Sequence, residues 1–117
     1  MPSFTIPNWH PTSVNKLLSA HPYSRSKIKN GDYDLIAAYF IQSGIEKAKG
    51  RRSVQVHIVR SPRQRRKSDS DNYNKVLLDG LVKCGAIIED NEDGVAMLPY
   101  TFERGKEKAT IITLEDL

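Results

Sequence analysis

Residues 63–75 combine a basic run with carboxylates and a lysine, and a second acidic cluster follows at residues 89–93. The first segment holds Arg63, Arg65, Arg66, Lys67, Asp69, Asp71, Asn72 and Lys75. Cationic side chains can bind phosphates, and carboxylate oxygens are ligands that Mg²⁺ prefers in proteins. Together the two kinds of group are typical of enzymes that hydrolyse phosphodiesters with a bound metal ion. The spacing therefore predicts a metal-dependent nuclease.

The two aspartates before the second predicted helix also have a structural explanation. Asp69 or Asp71 could cap that helix and lie at its positive end, where a negative charge is stabilising. Residues at i and i+2 of an extended segment point to opposite sides, so both carboxylates reach one ion only if the chain turns there. These two residues are therefore compatible with helix capping and with metal binding.

Four charged residues recur every four positions along the same predicted helix: Asp71, Lys75, Asp79 and Lys83. This spacing places them on one helix face. As a solvated ladder, each pair of opposite charges would contribute about 0.2–0.5 kcal/mol. As an active-site cation, Lys75 would stabilise charge that develops on phosphorus, or orient a water. The spacing alone does not separate these interpretations.

The second acidic cluster places four carboxylates within five residues: Glu89, Asp90, Glu92 and Asp93. Such neighbours repel one another, and a bound cation would relieve the repulsion. Residues 91–94 alternatively have the composition of an ordinary surface turn. A calcium EF-hand beginning at Asp69 is excluded, because Asn74 stands where that loop requires glycine and Gly80 where it requires glutamate.

The net charge is +4, and half of the basic residues lie in one acid-free window, residues 47–67. The nine are Lys47, Lys49, Arg51, Arg52, Arg60, Arg63, Arg65, Arg66 and Lys67. Such a block predicts binding of a polyanion, with nucleic acid favoured over a solvated basic loop. We expect phosphate contacts from Arg60, Arg63, Arg65, Arg66 and Lys67.

Other features narrow the class of protein. The 117 residues predict a single domain, 1–117. No apolar window reaches the roughly 18 residues that span a bilayer, and the N-terminal residues lack the pattern of a signal peptide. The one cysteine, Cys84, cannot form an internal disulfide, which favours a cytoplasmic location. The three histidines show no zinc spacing with Cys84, and the chain has no phosphate-binding glycine loop.

Hydrophobic periodicity predicts the order β-α-β-α-β-β. Strands are expected at 3–6, 53–60, 95–102 and 109–114, helices at 32–49 and 72–84, and a short turn or helix at 14–18. For the first helix, Asn30, Gly31 and Asp32 provide a start signal and Gly50 a stop. This pattern predicts an α+β, two-layer fold with a small mixed β-sheet and two main helices.

The middle of the chain resembles the RusA family of Holliday-junction resolvases, which are common in bacteria and their prophages. The similar elements are Arg65-Arg66-Lys67, Asp69-Ser70-Asp71-Asn72, Lys75, Leu77-Leu78-Asp79-Gly80-Leu81 and Gly85-Ala86-Ile87-Ile88-Glu89-Asp90. Pro11-Thr12-Ser13-Val14-Asn15 is similar to the family's N-terminal loop. The resemblance covers most of the chain, and residues 61–95 carry most of its specificity.

The resemblance implies a RusA-like fold and a role for each matched residue. Asp69, Asp71 and Asp90 would bind Mg²⁺ or Mn²⁺, and Lys75 would assist catalysis. A homodimer encoded by a bacterium or phage would cut a four-way DNA junction symmetrically in recombination and repair. We also expect Asn15 and Lys16 to contact DNA.

Two departures from the family pattern are visible. Ser68 separates the basic run from Asp69, where the family often has arginine, and His10 replaces a usual proline or tryptophan. The third-ligand region is also unusually acidic, which leaves Glu89, Glu92 and Asp93 open as alternatives to Asp90.

A binding protein without catalysis, for branched DNA or RNA, is the alternative function. Carboxylates beside a basic surface would repel phosphate unless a cation lay between them. The set of Asp69, Asp71, Lys75 and Asp90 therefore favours the nuclease.

Overall fold

The computed structural model of the protein describes residues 2–11, 21–61 and 71–117, and for residues 71–74 it describes only the backbone. The elements are β1 (Ser3–Pro7), α1 (Pro22–Ser43), β2 (Arg52–Arg60), α2 (Asp71–Cys84), β3 (Val95–Met97), β4 (Thr101–Arg104) and β5 (Ala109–Asp116). The predicted α+β fold is confirmed. The turn or helix expected at 14–18 lies outside the described residues.

The five strands form one mixed sheet with β2 in a central position. On one side β2 pairs antiparallel with β5, which in turn pairs antiparallel with β1. On its other side β2 pairs in parallel with β3 near its start and with β4 near its end. Since α2 connects β2 to β3, the chain crosses the sheet in a βαβ unit, which is the connection that a parallel pair requires.

Alternation of apolar residues along the strands builds the core. Val54, Val56 and Ile58 of β2 are buried, as the period-two pattern predicted. They join buried residues of both helices in one cluster, including Ile36 and Phe40 of α1 and Leu77 and Leu81 of α2. Both helices therefore pack on the same face of the sheet.

The first helix differs from the prediction of 32–49. It begins at Pro22, with His21 as the N-cap and proline in the first turn, and it ends at Ser43. Gly44 follows with a φ of 75°, a left-handed conformation that terminates a helix. Asp32 does not begin the helix: it lies within α1, is buried, and accepts a hydrogen bond from Nε1 of Trp9 at 3.1 Å.

The prediction of a single strand at 95–102 is also wrong. Residues 98–100 separate β3 from β4, and Pro99 among them has no N–H to donate to a ladder. Its carbonyl instead accepts a hydrogen bond from Nε2 of Gln55 at 2.6 Å. The interruption lets two short strands share the same edge of β2.

Within the described part of the chain, no helix is both long enough and apolar enough to cross a membrane.

Candidate functional site

Helix α2 carries the charged face that the sequence singled out. Lys75 is exposed, whereas Asp79 accepts a hydrogen bond from the Tyr33 hydroxyl at 3.4 Å. The Lys83 ammonium lies 5.1 Å from the centre of the Tyr33 ring. Among the described residues, no ion pair joins Asp79 to Lys75 or to Lys83. Asp79 and Lys83 thus interact with α1 rather than with a ladder along their own helix.

A cleft of about 330 Å³ lies between the two helices and the loop after α2. We call it the acidic cleft; its lining residues are Tyr33, Asp79, Val82, Lys83, Ile88, Glu89, Asp90 and Asn91. Asp90, a predicted metal ligand, therefore shares a cleft with Asp79 and Glu89. Of the alternatives left open for this region, Glu89 lines the cleft, whereas Glu92 and Asp93 do not.

The loop that carries Asp90 is fixed at both ends. At its start, Gly85 has a φ of 85°, and the Ala86 N–H donates to the Leu81 carbonyl at 2.9 Å, which closes α2. Ala86 and Ile87 are then buried in the core. At its end, the Gly94 and Val95 N–H groups both donate to the Asn91 carbonyl at 3.0 Å. The acidic residues between these anchors are held at the surface.

Glycine at position 94 is required by the close approach of the backbone. A Cβ there would lie 2.5 Å from the backbone nitrogen of Glu89 and 2.8 Å from its Cα. Gly80 permits a similar close approach between the helices, since a Cβ would lie 2.6 Å from Cδ1 of Ile36. Gly94 thus allows the two ends of the loop to approach each other, and Gly80 allows α1 to pack closely against α2.

Two adjacent arginines, Arg51 just before β2 and Arg52 at its start, hold the same loop. Arg52 is buried; its Nη1 donates to the Ala86 carbonyl at 3.0 Å and its Nε to the Asp116 carboxylate at 2.6 Å. Exposed Arg51 donates from Nε to the Glu92 carbonyl at 2.9 Å. The sequence grouped both with the phosphate-binding window, but Arg52 serves the structure of the loop.

Tyr33 is the polar group between the helices. Burial raises the pKa of its hydroxyl, and the neighbouring Asp79 carboxylate raises that pKa further. The phenol is therefore protonated at neutral pH and acts as a donor to Asp79. Sequence reasoning did not identify Tyr33, because nothing in the spacing of α1 shows which residue meets α2.

The basic residues of the window 47–67 do not form one patch, because β2 separates two of its arginines. Arg52 and Arg60 stand at opposite ends of β2, eight strand residues or about 26 Å apart. Arg60 is only 7% exposed, and its guanidinium carbon lies 4.4 Å from the centre of the Phe102 ring. Burial leaves little of Arg60 for a phosphate, so phosphate binding would fall mainly on the residues that follow it.

The remaining predicted site residues fall largely outside the described part of the chain. Asp71 begins α2, but its side chain is not described. Asp69 lies outside the described residues, as do the predicted DNA contacts Arg63, Arg65, Arg66, Lys67, Asn15 and Lys16.

Asp90 shares its cleft with residues from the second half of α2. Asp79, which lines the acidic cleft with it, is eight residues or about 12 Å along the helix from Asp71. Within the described residues, no three His, Cys, Asp or Glu side chains are grouped closely enough to hold a metal ion. Oxygen donors of this kind nevertheless suit Mg²⁺ or Mn²⁺. The ligand set of Asp69, Asp71 and Asp90 stays a prediction.

No protein-family model matches the chain, and no curated protein matches it. A proposal about function therefore rests on the sequence motifs and on the geometry of the acidic cleft.

Proposed function

We propose that the protein is a Mg²⁺- or Mn²⁺-dependent endodeoxyribonuclease that resolves four-way DNA junctions as a homodimer. The observation that carries the proposal is the acidic cleft, which brings Asp90 beside Asp79 on the helix that begins at Asp71. Carboxylates that line a cleft on a basic protein are suited to a hard cation at a phosphate.

Asp69, Asp71 and Asp90 would hold the metal ion. When bound, the ion would supply an activated water and neutralise charge at the scissile phosphate. The donor chemistry fits, since all three ligands are carboxylates. Asp79, which accepts a hydrogen bond from the Tyr33 hydroxyl of α1, would add a carboxylate beside Asp90 in the same cleft.

The chain's cations would position the DNA. Lys75 is exposed on the face of α2 that also carries Asp79, and its ammonium could stabilise the charge that develops on the phosphate. The basic residues after Arg60 would bind flanking phosphates without reading sequence. A homodimer would present two such sites to a substrate that itself has two-fold symmetry.

Incubation of the protein with an end-labelled four-way junction, with Mg²⁺ and with EDTA, tests the proposal. Symmetric paired nicks that require the metal are the expected result. Tight junction binding without cleavage would instead favour the non-catalytic binding protein. Failure to bind branched or linear DNA would reject both functions.

A further inference from the structure

An aromatic side chain and an arginine form a fixed surface at the end of β2. Phe102 is 39% exposed, and the centre of its ring lies 4.4 Å from the Arg60 guanidinium carbon and 6.3 Å from the centre of the Tyr100 ring. Phe102 is paired with β2 through the register of β4. An exposed ring held in this way loses little freedom on binding, which favours a ligand that stacks.

A small cleft lies against this ring. We call it the stacking cleft; it measures about 180 Å³ and is lined by Arg60, Phe102, Glu103 and Arg104. Sites for drug-sized molecules measure about 300–1,000 Å³, so the stacking cleft has room for one planar ring system. A helix or a DNA duplex is too wide to enter it.

The groups around the ring suit a nucleobase better than a bare phosphate. Arg104 follows Phe102 by two residues in β4, which places it on the same face, and its guanidinium offers donors that can meet the edge of a base. Glu103 lies on the opposite face of β4, where its Oε1 is 2.9 Å from Nε2 of His57, whose Nδ1 lies 2.6 Å from the Thr101 hydroxyl. The Phe102 ring offers a flat apolar face on which a base can stack but which gives a phosphate no hydrogen-bond donor.

Residues predicted to bind phosphate follow the cleft in the sequence. Arg60 is the last residue of β2, and the sequence continues directly into the run that holds Arg63, Arg65, Arg66 and Lys67. Aromatic and arginine stacking beside a basic track is the usual means of holding unpaired nucleotides.

We infer that the stacking cleft binds one unpaired or unstacked nucleobase at the branch point of the DNA substrate. This inference rests on the proposed function and specifies the part of the substrate that the protein recognises. Linear duplex offers no such base in its interior, so the cleft would distinguish branched from linear DNA. The basic run would bind both.

Binding measurements in EDTA, where no cleavage occurs, test the inference. The probes are a four-way junction with 2-aminopurine at the branch point and a linear duplex with 2-aminopurine in its interior. For the junction, Phe102→Ala should weaken binding roughly 5- to 150-fold, the range found for one base–aromatic stack. Binding of wild type to the junction should change the fluorescence of 2-aminopurine, and Phe102→Ala should abolish this change. The affinity of Phe102→Ala for the linear duplex should change little. Phe102→Trp should retain both properties.

Two variants control for effects on folding. Phe102→Leu keeps an apolar side chain over Arg60 but removes the aromatic face, so it should lose the fluorescence change with the fold retained by circular dichroism. Tyr23→Ala removes another exposed aromatic residue beside a cation, Lys27, and should bind as wild type does. Equal junction binding by wild type, Phe102→Ala and Phe102→Leu would overturn this inference but leave the proposed function standing. Absence of DNA binding by wild type would reject the proposed function as well.

Discussion

Replacement of Arg52 by methionine tests whether this arginine serves the fold rather than phosphate binding. Methionine keeps much of the apolar stem but removes every donor. The Ala86 carbonyl would lose its 3.0 Å hydrogen bond, and Asp116 would lose its 2.6 Å contact. Both partners lie at the end of β2 that supports the loop carrying Asp90.

The magnitude follows from the exposure of each partner. Loss of the donor to the Ala86 carbonyl costs about 1–3 kcal/mol, the penalty for an unsatisfied buried group. The Asp116 side chain is 78% exposed, so solvent reduces its ion pair with Arg52 to about 0.2–1 kcal/mol. We therefore expect the free energy of unfolding to fall by about 1–4 kcal/mol in Arg52→Met.

Urea unfolding of wild type, Arg52→Met and Arg51→Met measures this difference. Arg51 is the matched control, because it is adjacent in sequence but exposed, and its bond to the Glu92 carbonyl lies at the surface. The free energy of unfolding of Arg51→Met should change by less than about 1 kcal/mol. Equal, small losses in both variants would refute the structural role of Arg52.

Three further predictions concern the loop, the helix and pH. Gly94→Ala should lower the free energy of unfolding and impair cleavage through its clash with the Glu89 backbone, whereas Gly50→Ala, with open space around it, should do neither. Lys75→Ala should keep stability within about 0.5 kcal/mol yet cut junctions poorly; normal turnover would indicate a surface ladder residue. Burial lowers the pKa of His10 below its usual value of 6.5, and this effect is larger than the opposite effect of its hydrogen bond to the Val59 carbonyl. The stability that this group contributes is therefore present above about pH 6.5 and lost as pH falls through the folded pKa; acid unfolding that is identical in His10→Gln would contradict this.

The elements with strong periodicity could be predicted from sequence. The alternation of Val54, Val56 and Ile58 predicted β2 to within one residue, and the apolar stripe before Gly85 predicted α2 equally well. The start of α1 was missed because its first turns contribute little to the core and contain Asn30 and Gly31, residues typical of turns. Gly31 is tolerated there at an exposed position with open space around it.

The site was predictable only in part, because its contacts join distant segments. Asp90 was a candidate from the acidic cluster, and Asp79 belonged to a four-residue spacing that equally indicated a solvated ladder. Only the packing of α1 on α2 pairs Tyr33 with Asp79 across 46 residues. Arg60 and Arg52 were grouped with exposed cations because charge in a sequence does not reveal burial. Phe102 fell within a strand predicted as continuous, so its place beside Arg60 was not foreseen.

The most direct test of the central claim compares Asp90→Asn with Asp93→Asn in junction cleavage with Mg²⁺. Both substitutions remove one carboxylate charge from the same loop, but only Asp90 lines the acidic cleft. We predict that Asp90→Asn binds the junction as tightly as wild type, or more tightly, and does not cut it, whereas Asp93→Asn cuts normally. Normal cleavage by Asp90→Asn, or equal losses in both variants, would contradict the assignment of a metal-dependent nuclease site to this cleft.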